Sequence, residues 1–153
     1  MGQDYMMRLM EQVGRMLATV VAHRKAGRNA EAAQEIEASC SETIGLPWDV
    51  VRRSSPDAIW ESLQQSGGMR FSRAVMLAEL LIADAELSID DGRPADAIRS
   101  RLQAFCLLSE SIGVLSLDEA AVYRPKLAFL AGQLNAIGGP YIRETLDRYR
   151  SRG

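Results

Sequence analysis

The chain writes one short stretch twice. Ala26-Gly27-Arg28-Asn29-Ala30-Glu31-Ala32 returns as Asp91-Gly92-Arg93-Pro94-Ala95-Asp96-Ala97. Each copy ends a long apolar-periodic run and opens another. Glycine at such a break takes the left-handed position just past a helix, so the stretch reads as the joint of a helical hairpin. A joint repeated within 153 residues restricts the fold to a small array of helical hairpins.

The apolar spacing on either side agrees. Met6, Met10, Val13, Leu17 and Val20 recur at alternating steps of four and three, widened by Leu9, Met16 and Val21. This predicts a helix over 4–26, capped by Asp4 and closed by Arg24 and Lys25, whose charges suit a helix C-terminus. A second helix is expected over 29–43, with Ala32, Ala33, Ile36 and Cys40 inward. Gly45 ends it, Leu46-Pro47-Trp48-Asp49 turns a corner, and a short helical segment fits 50–53. Ser55-Pro56-Asp57 is a helix start, and Gly67-Gly68 a stop. The run over 72–90 is the most apolar in the chain and is placed centrally. Its partner over 94–111 carries Ile98, Leu102, Phe105, Cys106 and Leu108. Ser116-Leu117-Asp118-Glu119 has capping-box spacing. Pro125, two turns later, is expected to kink or split that helix. Gly138-Gly139-Pro140 precedes a last helix from Tyr141 to Arg150.

The expected architecture is therefore all-α, about seven helices in one domain over 1–153. Hairpin one spans 4–45, a connecting helix 55–66, hairpin two 72–111, and the C-terminal helices 116–150. A chain of this length buries enough surface to stand without metal or disulfide staples. Leu77, Leu81, Ile82, Leu102 and Phe105 form the expected core.

At the joints the chain resembles tetratricopeptide-repeat proteins. That family has a turn glycine and an early alanine in the second helix, as in Gly27 with Ala32 and Gly92 with Ala97. Its small residue seven positions before the turn is matched by Ala85 but poorly by Val20. Its large apolar residue nine positions after is matched by Ile36, whereas Arg101 departs from it. The two units are offset by 65 residues, longer than the family's period. The resemblance covers the two hairpins, about half the chain. It implies a right-handed stack of hairpins that binds other proteins, with no catalytic residues. The family's Lys/Asn peptide-carboxylate clamp has no match here.

Composition narrows the function. Eighteen Lys and Arg face twenty Asp and Glu, which argues against a nucleic-acid or anionic-membrane footprint. Arg52-Arg53, and Arg143, Arg148, Arg150 and Arg152, are interleaved with acids and read as a solvated face. The excess of Arg over Lys, which occurs only at Lys25 and Lys126, fits a GC-rich bacterial source. The N-terminus lacks signal-peptide features and no run approaches the ~20 apolar residues of a membrane span, so a cytoplasmic protein is expected. Cys40 and Cys106 stand apart without CxxC spacing, and His23 is the sole imidazole; no metal site, cofactor site or catalytic group is assigned. His23 suits a structural role in the last turn of its helix.

Two function classes remain. The first is a non-catalytic protein-interaction or scaffold module of unknown partner. Both ends of its stack look uncapped, so a homodimer through the terminal helices is expected, with Met6, Met10, Tyr141, Ile142, Leu146 and Tyr149 as candidate interface residues. The second is a small helical enzyme or ligand-binding bundle with a buried acidic site around Glu79. Glu79, Asp84 and Glu86 share the apolar fourth helix, and exposure or pairing with Arg73, Arg99 or Arg101 is the plainer account of them.

Overall fold

The computed structural model describes residues 2–64 and 70–150, with side chains from Met7 onward except those of Leu9 and Arg70. The Gly67–Gly68 stop, Arg152 and the side chain of Met6 lie outside the described residues. Eight α-helices and no strand occur among those described: α1 Gly2–Lys25, α2 Asn29–Ser39, α3 Trp48–Arg53, α4 Pro56–Gln64, α5 Arg70–Asp90, α6 Pro94–Ile112, α7 Leu117–Ile137 and α8 Pro140–Arg150. Asp4 falls within α1, Gly2–Lys25, and its expected capping side chain lies outside the described residues.

Both joints close alike. Arg28 N–H donates to His23 O at 2.7 Å and Gly27 N–H to Arg24 O at 3.0 Å. Arg93 N–H donates to Ser88 O at 2.7 Å and Gly92 N–H to Ile89 O at 3.1 Å. This pair of bonds satisfies the last carbonyls of a helix and needs a left-handed residue, supplied by Gly27 at φ +74° and Gly92 at φ +72°. The two joints also meet in space. Arg24 Nε donates to Asp90 Oδ2 at 2.7 Å, and Asn29 Nδ2 to Asp91 Oδ1 at 2.7 Å. His23 lies 3.7 Å from Glu31 across its own joint.

Helices α5 and α6 form the centre. They pack on one another; α5 also meets α1, α2 and α4, while α6 carries α7 and α8. Residues 74–81 of α5 and 102–108 of α6 are buried without a break, as for helices covered on every side. Leu77, Leu81, Leu102 and Phe105 are core, as is Cys106, but Ile82 is only half-buried because it faces the edge toward α7. Ala32 and Ile36 of α2, and Cys40 just past its end, are buried at steps of four, while Ala33 is exposed. One residue past Ala32 is a rotation of ~100°, which carries Ala33 off that stripe.

Local signals set the remaining boundaries. After α2 the chain makes one wider turn, Cys40–Ile44, closed by Gly45 N–H to Cys40 O at 3.0 Å. Ala58 N–H donates to Ser55 Oγ, capping α4. Ser116 and Glu119 exchange both bonds of the capping box at 3.2 Å each, starting α7. Pro125 does not split α7, which runs unbroken from Leu117 to Ile137.

Candidate functional site

The acidic side chains of α5 separate by which helix faces them. Glu86 is exposed and pairs with Arg24 at 3.4 Å. Asp84 is buried and accepts from Ser100 Oγ of α6 at 2.7 Å. Glu79 is only 5% exposed, and Lys126 Nζ of α7 donates to its Oε1. For Glu79 and Asp84 this corrects the expected exposure or arginine pairing, whereas Glu86 is exposed as expected. Arg73 donates to Ile44 O, and Arg99 to Arg52 O and Asp96, so both are held elsewhere.

Glu79 lies at a small cleft of about 170 Å³ between α1, α5 and α7. Met10 and Leu17 of α1, Val75 of α5 and Val122 of α7 line it with apolar groups. Tyr123 of α7 is buried beside them. Burial pushes its phenol up to about 12, and the charges of Glu79 and Glu119 act the same way. The Lys126 ammonium stands 5.4 Å from the centre of the Tyr123 ring, within cation–π range. Lys126 also borders a second hollow of about 330 Å³, with Ile82, Arg101, Phe129 and Leu130.

The outward side of α7 is a second unusual feature. Ala120, Tyr123, Leu130 and Leu134 point into the protein. On the opposite side, at steps of three and four, stand Val122, Pro125, Phe129, Gly132 and Ala136, with Ala121 beside Val122; all are exposed, Phe129 at 65%. The helix is apolar on both sides, where a solvated helix would present charge. Arg124 and Lys126 only flank this strip, and Asp118 stands at its start.

The candidate interface residues divide. Ile142 and Leu146 are covered by the chain's own helices, and Tyr149 packs edge-on against Phe105 with ring centres 5.5 Å apart. Met10 is half-buried in the cleft wall. Tyr141 alone of the C-terminal four is on the surface, 58% exposed. Phe129 and Gly132 were missed in the sequence, although the 122–125–129–132–136 spacing was there to find. Lys126 and Tyr123 carried no local signal linking them to Glu79, 47 residues from Lys126 along the chain.

Among the described residues, no three of His, Cys, Asp and Glu converge to hold a metal ion, and no helix is long and apolar enough to cross a membrane. Cys40 and Cys106 are buried, and desolvation pushes their thiols up to about 12 and about 11, the reverse of a nucleophilic cysteine. Set beside known proteins, the chain matches no family model, no curated protein and no solved structure.

Proposed function

We propose that this chain is a non-catalytic helical interaction module, built of stacked tetratricopeptide-like hairpins, that associates with a second copy of itself through the outward side of α7. The observation that carries this reading is the pairing of Phe129 with Gly132. Phe129 is the largest exposed apolar side chain of the strip, and Gly132 lies one turn away on the same side. A glycine inside a helix costs about 1 kcal/mol against alanine. Among the described residues no close approach requires it, because a Cβ at Gly132 would meet no atom within 4 Å, as is also true of Gly14 in α1.

An antiparallel second α7 supplies the reason. With the two-fold axis between positions 129 and 132, each Phe129 ring enters the notch over the other copy's Gly132. The contact is self-complementary, as a two-fold interface must be. The strip from Ala121 to Ala136 is about 22 Å long at 1.5 Å per residue.

Sedimentation of the wild type and of Phe129→Asp tests this. The wild type is expected to approach twice the 16.8 kDa chain mass at micromolar concentration. Phe129→Asp is expected to stay at single-chain mass with its helix content unchanged. A wild type that remains a single chain up to hundreds of micromolar overturns the reading.

A further inference from the structure

The geometry points to an alkylammonium-binding site at the Glu79–Tyr123 cleft, in which Lys126 serves as the chain's own stand-in until an external amine takes its place. The cleft has a carboxylate on its floor, a phenol ring beside it and apolar walls. That combination recognises an ammonium at the end of an alkyl chain: the carboxylate and the ring face take the charge, and the walls take the methylenes.

Lys126 shows the fit directly. Its Nζ donates to Glu79 and faces the Tyr123 ring, while its side chain remains 43% exposed. Glu79 is locked into the core, but Lys126 reaches it from the surface. The lysine can swing into water and leave the carboxylate to an incoming amine. The exchange keeps one positive charge on Glu79, so it avoids the large cost of a buried, unpaired carboxylate. A cleft of about 170 Å³ lies below the usual ~300–1,000 Å³ of drug-sized sites and suits one side chain or one small amine. With a single carboxylate on its floor, the cleft lacks the several oxygen ligands a divalent cation requires.

The chemistry is the same for a free amine and for a lysine side chain on another protein. The test therefore titrates two probes, n-butylammonium and Nα-acetyl-lysine-methylamide, into the full-length chain followed by NMR. Three proteins are compared: wild type, Lys126→Met, which keeps the stem and removes the charge, and Glu79→Gln. The wild type is expected to bind saturably with shifts centred on Val75, Val122 and Tyr123. Lys126→Met is expected to bind at least tenfold tighter, because the internal competitor is gone, and Glu79→Gln at least tenfold weaker. Tighter binding of the simple amine identifies a free amine as the ligand; tighter binding of the lysine amide identifies a partner's side chain. The proposal is overturned if the wild type binds neither probe, or if Lys126→Met folds and binds no tighter. Should Lys126→Met fail to fold, the wild-type titration decides alone. Repeating the series on Phe129→Asp separates this site from self-association, since the cleft is expected to bind equally well in a single chain.

Discussion

Hairpin one, α1 with α2, and hairpin two, α5 with α6, leave their joints along nearly the same backbone path. Arg28 has φ −97° and ψ 63°, Arg93 φ −116° and ψ 70°, and each accepts the first helical bond, from Ala32 N–H and Ala97 N–H. Beyond the joint they diverge. In hairpin one, burial follows a single stripe: Val13, Met16 and Val20 on α1, Ala32 and Ile36 on α2. In hairpin two, α4, α7, α8 and hairpin one itself close over the pair, and whole stretches are buried all round. The joint is a local code, carried by one glycine and a handful of backbone bonds. The burial is a property of neighbours, and the same code serves a peripheral hairpin and a central one.

Core truncations sharpen this contrast most. Leu81→Ala, in fully enclosed α5, is expected to cost about 4 kcal/mol in urea unfolding, through lost transfer and a cavity that surrounding helices cannot collapse. Met16→Ala, on the single stripe of α1, is expected to cost about 2 kcal/mol, because an edge site relaxes. Equal costs would break the distinction between the hairpins.

Alkaline pH reads both hairpins together. Cys40, Cys106 and Tyr123 all have raised folded values, from 9.0 to about 12, from 9.0 to about 11, and from 10.0 to about 12. Below pH 9 both folded and unfolded chains keep these protons, and stability is unaffected. As pH rises through 9 to 12 the unfolded chain releases them first, so stability falls over that window. Urea midpoints at pH 8 and pH 10.5 check the slope. Cys106→Ala, in hairpin two, is expected to flatten it in part.

The glycines come next. Gly27→Val and Gly92→Val are each expected to cost about 1–2 kcal/mol, since a β-branched residue is strained at positive φ. Near-equal costs would show that the joint is local; a much larger cost at Gly92 would tie it to its buried surroundings. The smallest effect concerns the bridge between joints. Arg24 holds the Asp90 carboxyl below its usual range through a direct hydrogen bond, so the pair's contribution is present above the unfolded carboxyl value and fades as pH falls. Both side chains touch solvent, and Arg24→Ala is expected to cost under about 1 kcal/mol at neutral pH.

Signals that act within one turn were legible in the sequence. Ser55, Ser116 with Glu119, Gly27 and Gly92 each satisfy backbone groups a few residues away, and each appears where the sequence puts it. Long-range pairing was not legible. Glu79 finds Lys126 only because α7 folds back toward α5, and Ile142 and Leu146 look uncovered only until α8 meets its neighbours. Trp48–Arg53 starts two residues before the expected 50–53 segment, directly after Pro47, and Gln103, buried in α6, donates to Val51 O and Ser54 O at its far end, a pairing 49 or more residues apart. The apolar outer strip of α7 was readable, but the inward stripe on the same helix masks its period.

Gly132→Leu tests most directly the claim that α7 is an interface helix. A Cβ there meets no described atom within 4 Å, and leucine is a better helix former than glycine, so the single chain is expected to gain up to about 1 kcal/mol. In the proposed dimer the same side chain would fill the notch that receives Phe129. Light scattering coupled to size exclusion is therefore expected to show twice the 16.8 kDa chain mass for the wild type and single-chain mass for a more heat-resistant Gly132→Leu. A variant that dimerises as the wild type does, or a wild type that elutes as one chain, would contradict it.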